Sequence, residues 1–154
     1  MQAGSLVPVW ANSTIDHYIY VDSTGAEYSL NQNNGNVWTS QEGVYISYNA
    51  NTNILHSTDG TFWAMGCQSA GGEPDSGTLY PTTFEDTNGN QINVHYLTGS
   101  GSSQPNTSAR IYYIEDQRSG DPIPGTHSSY SFNYDGTKHL SSFTNQIWDN
   151  EGYT

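Results

Sequence analysis

The sequence predicts an all-β protein, with antiparallel hairpins in a twisted, partly open sheet or half-barrel. It is read as a single β-rich segment over residues 1–154. Three observations carry this. The bulky residues are aromatic or β-branched, with 12 Tyr, 4 Trp, 9 Ile and 6 Val against only 7 Ala, and such side chains suit a pleated, half-buried surface. Short alternating segments run again and again into Asx and Gly turns. No window sustains the 3.6-residue period of an amphipathic helix. Leu, Ile, Val and Phe alone number 25 of 154, which with a net charge of -12 resembles a disordered composition. Tyr and Trp raise the bulky set to 41, enough to build a core.

About ten to twelve short strands follow in order. Residues 17–21 (HYIYV) lead through the turn 22–25 (DSTG) into 27–30 (EYSL). Residues 44–48 (VYISY) precede a turn at 49–53 (NANTN), with 54–56 (ILH) beyond it. Asp59-Gly60 stands before 61–65 (TFWAM), and Asn88-Gly89 divides 83–87 from 90–96. Asx-Gly between apolar runs favours a type I′ hairpin, whose two central residues both need φ > 0. In the second of these arms Ile92, Val94 and Tyr96 share one face, and Asn93 and His95 the other. Residues 110–115 (RIYYIE) read as a strand, and 130–134 with 139–143 as a hairpin about Asp135-Gly136. Three stretches dense in Gly, Ser and Pro, at 68–78, 98–108 and 119–126, read as loops.

Charge limits the partners. Arg110, Arg118 and Lys138 face fifteen acids. A nucleic-acid backbone needs a basic stripe to displace its counterions, and three cations cannot supply one. No run approaches the roughly 18 apolar residues of a spanning helix, so membrane insertion is not expected. The first fourteen residues lack a basic n-region and an apolar stretch, so they are not read as a signal peptide. Cys67 stands alone, which allows no internal disulfide and reads as a small buried hydrophobe. The acceptor patterns at Asn12 and Asn106 matter only in a host that glycosylates.

At this point the motifs resemble a known family. Residues 84–96 (FEDTNGNQINVHY) are similar to the hairpin of bacterial RHS/YD-repeat proteins, and 130–144 (YSFNYDGTKHLSSFT) to their tyrosine–aspartate unit. Upstream, 20–25 (YVDSTG) and 57–62 (STDGTF) resemble the turns that precede such arrays. Gly136-Thr137-Lys138 stands where the family's unit carries Gly-Arg, and the repeat period wanders. The resemblance implies a segment of a large β-sheet shell, secreted or at the cell surface, that in toxin systems encloses a C-terminal effector. It implies no catalysis by this segment, no cofactor, and neighbouring repeats or self-association through strand edges as the partners. Such edges are expected at 16–21 or 130–134.

A second class stays open: a carbohydrate-active module, with a polysaccharide as partner. Glu85-Asp86 and Glu115-Asp116 are its candidate acids, since glycoside hydrolysis uses two carboxylates about 5–10 Å apart. Neighbours on a strand face opposite ways, so a working pair must come from different strands. Trp10, Trp38, Trp63 and Trp148 are its candidate stacking platform, set against a simple role in the core. Asp86, Asn88 and Asn90 carry the alternate oxygens of a calcium loop, but Gly falls fourth and Leu97 twelfth, where an EF-hand wants Gly sixth and Glu twelfth. Five single histidines (His17, His56, His95, His127, His139) show no zinc spacing.

Overall fold

The structure is a computed structural model and describes residues 4–118 and 128–146. Every regular element in that range is a strand. In chain order these are β1 (Ser5–Ala11), β2 (Thr14–Val21), β3 (Glu27–Leu30), β4 (Gln32–Asn34) and β5 (Val37–Thr39). There follow β6 (Ser47–Asn49), β7 (Ile54–His56), β8 (Phe62–Ala64), β9 (Cys67–Gln68) and β10 (Leu79–Tyr80). The last are β11 (Thr83–Glu85), β12 (Gln91–Tyr96), β13 (Ile111–Asp116), β14 (Ser129–Tyr134) and β15 (Leu140–Gln146). They form two antiparallel sheets that do not close into a barrel: β3-β2-β1-β10-β9, and the ten-stranded β15-β14-β13-β12-β11-β8-β7-β6-β5-β4. The predicted loop at 119–126 lies outside the described residues.

The small sheet covers only part of the large one. Leu6, Tyr18, Tyr20 and Leu30 meet Trp38, Tyr48, Leu55, Trp63 and Met65 in the main core. Tyr18 touches Trp38 and Tyr48 edge-on, at ring distances of 5.3 and 4.9 Å, the geometry that aromatic quadrupoles favour. A second cluster joins Cys67 to Val94 and Tyr96, with Tyr80, Ile111 and Ile114 packed against it. The layer stops there. All seven residues of β15 are exposed. The strands expected at the edges, 16–21 and 130–134, are interior: β2 lies between β1 and β3, and β14 between β13 and β15. The edges are β3 and β9 in the small sheet, β4 and β15 in the large one.

One turn closes four of the hairpins. In 22–26, 57–61, 86–90 and 135–139 the fourth residue donates its N–H to the first residue's carbonyl (3.0–3.3 Å), and the first donates to the fifth. Only the fourth residue is left-handed: Gly25, Gly60, Gly89 and Lys138 have φ of 86, 84, 79 and 69°. This is a type I turn followed by one left-handed residue. It corrects the type I′ expectation for Asp59-Gly60 and Asn88-Gly89, because Asp59 and Asn88 keep negative φ. At 135–139 the left-handed seat belongs to Lys138 and not to Gly136. Paired left-handed residues occur instead at Asn12-Ser13 and Gly35-Asn36, which join β1 to β2 and β4 to β5.

Candidate functional site

The four acids singled out in the sequence are kept apart. Register places Glu85 opposite Gln91, and Glu115 opposite Asn93. Both glutamates therefore lie on the outer face, with β12 between them. Two strand spacings and a two-residue stagger separate their backbones by about 12 Å. Each carboxylate has its own local donor, Gln91 Nε2 at 2.6 Å for Glu85 and His95 Nε2 at 3.0 Å for Glu115. His95 also stacks on Tyr113, with ring centroids 4.0 Å apart. Asp116 accepts the Arg118 N–H at 2.9 Å. Neither adjacent pair converges on a common point.

The calcium candidates are engaged in the turn itself. Asp86 Oδ1 accepts the N–H groups of Asn88 and Asn90 at 2.8 and 2.9 Å, and Oδ2 accepts Asn90 Nδ2 at 2.6 Å. Asn90 Oδ1 accepts Arg118 Nη1 at 3.0 Å. These bonds, those from Asn90 foremost, hold the Asp86 carboxyl below the usual carboxylate range. Among the described residues no three His, Cys, Asp or Glu side chains group as a metal site. The tryptophans separate too. Trp38 and Trp63 are buried in the main core and Trp10 is more than half exposed; Trp148 lies outside the described residues. Burial pushes the Cys67 thiol up to about 12, which leaves it un-ionised and poorly nucleophilic.

A cleft of about 500 Å³ lies between the 22–26 and 57–61 turns. Its floor is aromatic: Tyr20 stacks on Tyr28 at 6.2 Å, and Trp63 leans on Phe84 at 4.5 Å. Its rim carries Asp22 and Asp59. Asp22 Oδ1 takes the Thr24 hydroxyl and the N–H groups of Thr24 and Ala26, and Oδ2 takes the Tyr28 hydroxyl at 3.3 Å. Asp59 Oδ1 takes the N–H and hydroxyl of Thr61. The Thr24 and Thr61 hydroxyls, ahead of the backbone bonds, keep both carboxyls below their ordinary range. The third turn adjoins this rim, since a Cβ at Gly60 would lie 3.1 Å from Thr87 Cγ2.

At the opposite end of the sheet, two of the three basic residues converge on one acid. Glu73, with a side chain only 4% exposed, is gripped by both Arg110 guanidinium nitrogens at 3.1 Å and by the Ser100 N–H at 2.7 Å, with Lys138 Nζ 3.6 Å away. Arg110 foremost, then the Ser100 N–H, brings the Glu73 carboxyl down to about 2. The bidentate pair ties the 68–78 loop to the residue before β13, the Ser100 N–H ties it to the 98–108 loop, and Lys138 brings the β14–β15 turn against both.

Comparison with protein-family models, with curated proteins and with solved structures finds no match. The residues that the sequence reading passed over are Asp22, Asp59, Tyr20, Tyr28 and Phe84 at the cleft, and Glu73. The first two had a signal, for both sit in turns of one spacing. Glu73 had none, because a lone acid among Gly, Ser and Pro reads as a solvated loop.

Proposed function

We propose that this chain is a structural β-shell segment of a secreted or cell-surface RHS/YD-repeat-type protein, without catalytic activity of its own. Its large sheet is continued across β15 by a neighbouring repeat, or by a second copy when the chain stands alone. The observation that carries the reading is the bare flank of that sheet. Tyr130, Leu140 and Phe143 are about half to two-thirds exposed, and strand register puts them on the face that holds Val94 and Ile114. That face is thus an apolar core face that no described residue covers. Neither β14 nor β15 contains a charged residue, so the lysines and inward charges that usually blunt an edge are missing.

The carbohydrate-active alternative has less support. Its acids each have a local partner, and its described tryptophans form no open platform, since Trp38 and Trp63 are buried in the core and Trp10 stands apart from them. The shell reading is tested by amide exchange of residues 140–146 as the concentration rises from about 1 µM to about 200 µM, because added neighbours act by mass action. Protection confined to β15 and growing with concentration is expected. Exchange from β15 that is fast and independent of concentration would remove the reading.

A further inference from the structure

We infer that the cleft between the 22–26 and 57–61 turns binds an organic cation, an ammonium or guanidinium carried on an apolar stem. This is independent of the shell reading and uses a different part of the molecule. The rim presents two carboxylates, and no Lys, Arg or His lines the cleft. The chain's three cations are committed elsewhere, Arg110 and Lys138 at Glu73 and Arg118 at Asn90. Asp22 and Asp59 therefore have no counter-ion among the described residues.

The oxygens left over point to what is missing. In each carboxylate the turn consumes Oδ1; Asp22 Oδ2 has one long bond from Tyr28, and Asp59 Oδ2 has none from the described residues. Tyr20 lines the same cleft with only 7% of its surface exposed, and its hydroxyl has no partner among the described residues. Burial, reinforced by Asp22 and Tyr28, raises its pKa, so at neutral pH it stays a phenol able to accept an N–H. The site thus gathers two carboxylates and hydroxyls but no cationic donor. Below them the Tyr28 and Phe84 rings, both half-buried, offer apolar surface to a stem and negative faces to a cation. A neutral sugar would suit the rings but leave two carboxylates uncompensated. Calcium asks for six to eight oxygens, and here the Oδ1 of each carboxylate is already spent on its own turn.

The cation has two sources, a free small amine or the Lys or Arg side chain of a polypeptide. The test follows the ring proton shifts of Trp63, Tyr28 and Phe84 during titration with butylammonium, butylguanidinium, Nα-acetyl-lysine amide, 1-butanol and cellobiose. Saturable shifts with the cations and none with 1-butanol are expected. Asp59→Asn should weaken butylammonium about tenfold, and the Asp22→Asn/Asp59→Asn pair should abolish the response, since Asn Oδ1 keeps the turn bonds but not the charge. Asp135→Asn removes a carboxylate held in the same turn at the opposite end and should change nothing. Tighter binding of the blocked lysine than of butylammonium assigns the site to a polypeptide, and equal binding to a free amine. Shifts of equal size with 1-butanol, a response to cellobiose alone, or shifts reproduced by sodium chloride would each overturn the inference. Because the selectivity series needs only the wild-type chain, failure of a variant to fold leaves the result decisive.

Discussion

The hairpins β11–β12 and β14–β15 are closed by the same turn, with an aspartate capping two backbone N–H groups and one left-handed residue in fourth place. One of them lies on a core. Its Val94 and Tyr96 are buried, and the Tyr96 hydroxyl donates to the Pro81 carbonyl at 2.8 Å. The other carries Phe132, Phe143 and Leu140 on the corresponding face, and among the described residues no second layer lies over β15. Turn chemistry and cross-strand pairing thus suffice to shape a hairpin, whereas its share of stability comes from the layer above it.

The largest effect should separate the two regions directly. Leu55→Ala, at a site 2% exposed in the main core, is expected to cost about 3 kcal/mol in urea unfolding. Phe143→Ala, measured in dilute solution, should cost less than about 0.5 kcal/mol. Equal costs would mean that β15 has a cover.

Next in size is the buried ion pair. Glu73→Gln leaves Arg110 without its counter-charge and is expected to cost about 3 kcal/mol. The Glu73 carboxyl lies at about 2 in the folded chain against an ordinary 4.5. Because the folded value is the lower one, its contribution is full above about pH 5 and is lost as pH falls toward 2. In the Glu73→Gln variant that acid-side loss should shrink, and a pH profile identical to the wild type would contradict the assignment.

Smaller effects belong to the turns. Gly89 has a φ of 79° and open space where a Cβ would go. Gly89→Val should therefore cost about 1–2 kcal/mol through backbone strain alone. Lys138 holds the equivalent seat at 69°, so Lys138→Gly should gain about 0.5 kcal/mol. The contacts it gives up, from a side chain 54% exposed, with its amine 3.6 Å from Glu73 and 2.9 Å from Ser100 Oγ, are worth little. Calorimetric melting of both variants checks the opposite signs.

The hairpins read readily from the sequence because each is a local event. Residues 27–30 and 54–56 match β3 and β7, the turns at 22–25 and 88–89 fall between strands as expected, and of the turn at 49–53 all but Asn49, the last residue of β6, does so. The short strands β4, β5 and β10 have too few residues to show a period, and Gln32, Asn33 and Asn34 are poor strand formers. In β1, Pro8 is a poor strand residue by local pattern. It is tolerated because β10 pairs with β1 only at Leu6, so on that side no ladder bond depends on the missing N–H. The division into two sheets rests on the β1–β10 pairing across more than seventy residues, which no local signal encodes. The cleft was illegible for the same reason: Asp22 and Asp59 come together only when the small sheet packs on the large one.

Sedimentation velocity of the full chain, across the micromolar range and beside a Phe143→Lys variant, tests most directly whether β15 is where the sheet continues. A charge placed on that face should oppose pairing. The wild type is expected to shift with concentration from 16.9 kDa toward a dimer or larger assembly, and the variant to remain at 16.9 kDa. A wild type that stays at 16.9 kDa throughout, indistinguishable from the variant, would contradict the proposal that β15 and its apolar face form the junction with a neighbour.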